Sequence, residues 1–239
     1  MREDGRAPDE LRPFELEPDF IRSALGSVLV TAGRTRVICT ASLQDRPPPW
    51  LDVGGWITAE YAMLPGSTQP RGERKAGGRA KEIQRLIGRS LRAAVDLERL
   101  VDPDGNGLSI VVDCDVIEAD GGTRTASITG GFVALQRALA RLAGEGQLAS
   151  WPVIGQVAAV SVGLVGDPPV ALLDLPYEED ARAVVDLNVV RRDGAYVEIQ
   201  GTGEQGTFDR DQLSALLDLA DAGIDTLQAA QRRAMLPPP

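Results

Sequence analysis

A chain of 239 residues, 43% hydrophobic and 25% charged, has ordinary globular composition and can bury a sizeable core. Its formal net charge of −10 argues against a general nucleic-acid coat. No apolar run approaches the roughly 18 residues of a membrane span, and the charged opening MREDGRAPDELRP has no signal-peptide core. The two cysteines, Cys39 and Cys114, each lie inside an expected strand, so they read as buried reduced thiols in a cytoplasmic protein. There is no histidine, which removes Ser-His and Cys-His nucleophile systems and imidazole zinc sites. Chemistry must then come from carboxylates, arginines, lysines, hydroxyls, backbone amides or a hard metal held by oxygen.

After an N-terminal arm, residues 27–43 (SVLVTAGRTRVICTASL) read as two strands turning near Ala32-Gly33, and GWITAEYAML (55–64) as a third. The Gly-rich polar stretch 65–78 reads as a loop. Residues 79–97 predict a helix with Ile83, Leu86, Ile87, Leu91 and Ala94 at helical spacing. Lys81, Arg85, Arg89 and Arg92 form one stripe on that helix, expected to be solvated or to face another subunit. Residues 71–92 hold eight basic residues against two acidic ones, a local charge of +6 on an acidic body, which suits a polyanion. A turn at 102–107 leads to a strand over 108–118.

The segment ADGGTRTAS (119–127) joins that strand to a helix carrying Leu135, Ala138, Leu139 and Leu142 on one face. Gly121 and Gly122 permit close backbone approach, a helix start favours an anion, and Arg124 adds a planar fork of donors. Two readings stand: a phosphate cradle, or a plain turn with a solvated arginine. A P-loop's GK[ST] and a dinucleotide fold's G-x-G-x-x-G are both missing, which disfavours nucleotide cofactors.

The helix fades at LAGEGQ (142–147), the expected lobe boundary, dividing 1–145 from 146–239. Strands follow at 156–166 and 170–175 around GDPP, then an acidic turn YEEDARA, then strands at 183–192 and 195–203 joined at Asp193-Gly194. Asp209 and Gln212 have capping-box spacing before a last helix with Leu213, Leu216, Leu217, Ala220, Ile224 and Leu227 facing inward. The LPPP tail (236–239) is expected to be disordered. Both halves end in a helix after strands, which hints at a duplicated unit. Asp180 and Asp186 flank the short acidic turn. They can hold Mg²⁺ or supply a general acid, or they are an exposed turn plus a strand-end aspartate.

Together, an arginine-rich anion site, a carboxylate pair and a basic loop fit phosphoryl chemistry on a polyanion. The segments MREDGR, GSVLVTAGRTRVICTAS, GWITAEYAMLP, GRAKEIQRLIGRSLRAAVDL, DCDVIEADGGTRTASITG, LDLPYEEDARAVVDLNVV and AYVEIQGTGEQGTF, in this order and spacing, resemble the ribonuclease PH family. The resemblance implies an α/β (α+β) fold of the ribosomal-protein-S5-domain-2-like type, in two sheet-plus-helix lobes. It implies a phosphorolytic 3′-to-5′ exoribonuclease, a tRNA nucleotidyltransferase that trims tRNA precursor 3′ ends with inorganic phosphate. A homo-hexamer built as a trimer of dimers follows from it, with neither membrane nor DNA as a partner.

The family's phosphate-binding positions fall on Arg79, Gly122, Thr123 and Arg124. Its functional aspartates fall on Asp180 and Asp186, which would hold Mg²⁺ or protonate the leaving oxygen. RNA contact is expected from the loop residues Arg71, Arg74 and Lys75. The sequence departs from the family at Gly66, where an arginine is usual, and at Val184, where a glutamate is common. The competing reading is a catalytically silent RNA-binding ring subunit of an exosome-like assembly. Such a subunit has no chemical reason to keep Arg79, Arg124, Asp180 and Asp186 together.

Overall fold

In a computed structural model of the chain, the described residues are 2–44, 47–74 and 77–235. Lys75 and the tail 236–239 lie outside them. The first sheet comprises β1 (Phe14–Pro18), β2 (Gly26–Ala32), β3 (Thr35–Gln44), β4 (Trp56–Met63) and β5 (Ser109–Glu118), in the spatial order β1-β2-β3-β5-β4. Its pairs are antiparallel except β4 with β5. Parallel neighbours need a long crossover, and α1 (Gly78–Arg92) lies within this one. The second sheet is antiparallel throughout: β6 (Val157–Val165), β7 (Val170–Leu173), β8 (Ala183–Arg192) and β9 (Ala195–Thr202), in the order β7-β6-β8-β9.

Helix α2 (Thr123–Gly144) is buried continuously from Thr125 to Leu135, because it packs on β2, β3 and β5 and also on β6. A helix buried on all sides must be apolar or small all round, and SITGGFVAL meets that demand. Helix α4 (Arg210–Met235) closes the second sheet with Leu216, Ala220, Ile224 and Leu227. Its start is held as expected: the Asp209 amide donates to Gln212 Oε1 at 2.9 Å, and the Gln212 amide to Asp209 Oδ1 at 2.8 Å. Each half therefore ends in a long helix on its sheet. The halves differ in connectivity, since the second sheet has only the four-residue α3 (Tyr177–Asp180) where the first has a crossover helix.

Three sequence expectations change. β1 falls in the stretch that reads from sequence as an N-terminal arm; Phe14 and Leu16 turn inward while Glu15 and Glu17 turn out, in a run too short to stand apart from the arm. The first helix stops at Arg92 and not Leu97, because Val95 forms a bridge with Val153 and the Asp96 side chain caps a separate 3₁₀ turn, Leu97–Arg99. In the basic stripe, Arg89 forks onto Glu198 at 2.8–3.0 Å, and Arg92 lies 4.5 Å over the Trp56 ring and donates to the Ile57 carbonyl. Those two arginines are used within the chain. Cys39 and Cys114 are free, buried and directly opposite each other on β3 and β5.

Candidate active site

After β5, residues 119–122 turn into α2, and Gly121 in that turn packs on the backbone that follows β7. Gly121 and Gly122 both have positive φ, 73° and 66°. A Cβ on Gly121 would stand 2.4 Å from the Leu175 carbonyl oxygen, so only glycine lets this turn touch the Leu175-Pro176 backbone. Gly122 is the N-cap of α2, and among the described residues no side chain caps the helix. Its first-turn amides remain available to an anion at the positive end of the helix dipole.

Three side chains hold the turn. Thr35 Oγ1 accepts from the Asp120 amide at 2.8 Å and donates to the Gly121 carbonyl at 2.7 Å. Arg12 donates to the Asp120 carbonyl at 2.5 Å and forks onto Asp174 at 2.7 and 3.0 Å. Asp120 in turn accepts from the Tyr177 amide at the start of α3, at 3.3 Å. The glycine turn and the loop that carries Asp180 are thus one braced unit.

A cavity of about 530 Å³ opens over this unit. Arg79, Gly122, Thr123 and Arg124 line it together with Asp180 and Asp186. Six expected positions, from α1, the α2 turn, α3 and β8, therefore converge. Of the loop residues, Arg74 reaches the cavity, while the exposed Arg71 turns to the Gly72 carbonyl. Lys75 lies outside the described residues.

The electrostatics match this geometry. Burial raises the Asp186 carboxyl to about 6, the nearby charge of Asp180 adds to the rise, and Arg124 and Arg79 oppose it. Asp186 Oδ1 is buried and has no hydrogen-bond partner among the described residues. Burial also raises Asp180, against the pull of Arg79 and Arg124. An orphaned carboxylate oxygen beside a second carboxylate is a demand for a proton or a cation. No cluster of three or more metal-binding side chains exists among the described residues.

Sequence reasoning missed the supporting residues. Arg124 donates to Gln200 Oε1 on β9 at 2.5 Å, and Gln200 donates to Glu82 on α1 at 2.7 Å. Tyr61 bonds the Thr123 hydroxyl at 2.8 Å. Asp174 lies within LLDLP, where no local pattern sets it apart, and it takes a positive φ of 54°. The acidic turn is also less exposed than its composition implies, since Glu179 is buried.

Two family descriptions match the chain: 3′ exoribonuclease family, domain 1, over residues 10–140, and domain 2 of the same family over residues 155–223. The chain belongs to the 3′ exoribonuclease family. Relatives in this family named ribonuclease PH, from Bacillus velezensis and Bacillus subtilis, are each 52% identical over 243 residues, spanning 98% of this chain and 97% of theirs. Among solved structures, a chain of the Archaeoglobus fulgidus exosome with RNA bound to the active site superposes with a TM-score of 0.82. It is 27% identical and covers 95% of this chain and 91% of that one. The α/β fold with two sheets is that of the family.

Proposed function

We propose that this exoribonuclease carries out phosphorolysis with the residues that line this cavity. The 3′ end of an RNA enters, and inorganic phosphate attacks the last phosphodiester. The bond from phosphorus to the 3′ oxygen breaks, a new P–O–P bond forms, and a nucleoside 5′-diphosphate leaves. The observation that carries this reading is the convergence of Arg79, Arg124 and the uncapped α2 turn with Asp180 and Asp186 around one cavity.

Arg79, Arg124 and the amides at Gly122-Thr123 bind and orient the attacking phosphate. Their fixed donors stabilise the charge that develops in transfer, and losing one such donor typically costs 10²–10³ in rate, about 3–4 kcal/mol. Asp180 and Asp186 face the leaving group. A carboxyl raised to about 6 can deliver a proton to the departing 3′ oxygen near neutral pH. The same pair fits Mg²⁺, which binds through one or two carboxylates plus substrate phosphates and keeps several waters. When bound, Mg²⁺ supplies positive charge beside the scissile phosphate.

The basic loop, with Arg71, Arg74 and Lys75, contacts the RNA backbone. The substrates are tRNA precursors with extra 3′ nucleotides, and the working assembly is a cytoplasmic homo-hexamer, a trimer of dimers. Residues 1–145 and 146–239 are read as its two lobes in each subunit. Among the described residues no helix is long and apolar enough to cross a membrane. Isotopically labelled inorganic phosphate tests the reaction: the label should emerge in the β-phosphoryl group of the diphosphate product. Unlabelled product would rule the reaction out.

A further inference from the structure

The arm that precedes β1 has no role in the chemistry assigned above, yet its arginines are buried. Arg2 is 7% exposed and spends every donor. Its Nε donates to Glu179 Oε1 at 3.0 Å and Nη2 to Glu179 Oε2 at 2.7 Å. Its Nη1 donates to the Leu173 carbonyl at 2.8 Å, and Nη2 also reaches the Asp174 carbonyl at 3.0 Å. One planar group therefore joins the end of β7 to α3. Glu179 is 5% exposed and immediately precedes Asp180.

A four-residue helix cannot hold itself, since helix nucleation is unfavourable and isolated short helices are marginal. Among the described residues, α3 is held from outside by the Arg2 fork on Glu179, and at its start by the Asp120 carboxylate on the Tyr177 amide and the Gly121 turn packed on Pro176-Tyr177. The Arg182–Glu3 pair nearby is exposed, at 60% and 64%, and exposed pairs contribute little. We infer that Arg2, through its fork onto Glu179, is a positioning residue that sets where Asp180 stands in the cavity. This rests on the role proposed for Asp180. The chemistry demands such a brace because displacing a reacting group by about 1 Å can cost on the order of 10²-fold in rate.

Breaking the pair on one side leaves a buried charge and could unfold the chain, so two other variants carry the test. Arg2→Lys keeps a cation for Glu179 but cannot reproduce the fork or the carbonyl ties. Arg2→Met with Glu179→Met replaces the pair by apolar side chains, an exchange that often keeps stability. The kinetics of trimming are measured at saturating RNA with phosphate varied, alongside Asp180→Asn and the exposed control Arg182→Gln. The expected result is a fall of about tenfold or more in kcat for both variants, an unchanged phosphate KM, and normal kcat in Arg182→Gln. Full kcat in Arg2→Lys or in the double variant, with Asp180→Asn inactive, would overturn the inference. Full activity in Asp180→Asn would instead refute the role given to Asp180.

Discussion

Arg12 forks onto Asp174 with both carboxylate oxygens engaged, at 2.7 and 3.0 Å, while its other nitrogen holds the carbonyl of Asp120. One side chain thus links the loop of the glycine turn to the loop of the aspartates. The pair is buried, with Arg12 5% and Asp174 8% exposed. Arg12→Ala should cost about 3–5 kcal/mol, the usual penalty for stranding a buried charge, read from urea unfolding. Burial alone would raise the Asp174 carboxyl, but the hydrogen bonds and charge of Arg12 outweigh it and hold the group below its ordinary value. That stability is present above the unfolded carboxyl's pKa and is lost as pH falls through the lower folded value. Arg12→Met should flatten this acid limb. An unchanged limb would contradict the pairing.

Asp186 has the opposite sign. Its folded pKa of about 6 lies above the ordinary value near 3.9, so the native state holds a proton that the unfolded chain has released. Stability therefore falls as pH rises from about 4 to about 6, by at most about 3 kcal/mol. Asp186→Asn removes this cost. Without Mg²⁺, the variant should be more stable than the parent at pH 8 by about 1–3 kcal/mol and equal to it at pH 4. It should also lose activity. Equal stabilities at both pH values would show that Asp186 is not held unfavourably.

Gln200 orients Arg124 and is tethered by Glu82. Gln200→Ala should raise the phosphate KM about tenfold, roughly 1.4 kcal/mol, with little change in the KM for RNA. A change confined to RNA binding would mean that Gln200 serves the RNA and not the arginine.

The parts of the site that share one stretch of chain were legible. GGTR could be singled out as a candidate because a glycine pair, a helix start and an arginine are neighbours in sequence, although spacing alone left a plain turn equally open. Asp180 and Asp186 are also close along the chain, though composition alone made their turn look exposed. The braces were not legible, for a physical reason. Arg12 and Asp174 are 162 positions apart, and Arg2 and Glu179 are 177 apart, so no periodicity or local spacing links them. Gln200 sits in a strand whose pattern carries no sign that one side chain serves a neighbouring helix. β1 escaped for a different reason: five residues of alternation are too few to separate from a charged arm.

Inorganic phosphate, held by Arg79, Arg124 and the α2 turn, is the nucleophile proposed for this site. The most direct measurement incubates the protein with an RNA bearing a short 3′ extension and Mg²⁺, with and without phosphate, and identifies the released nucleotides. Nucleoside 5′-diphosphates should appear only when phosphate is present and should be lost in Arg124→Ala. Nucleoside monophosphates released without phosphate would contradict phosphorolysis.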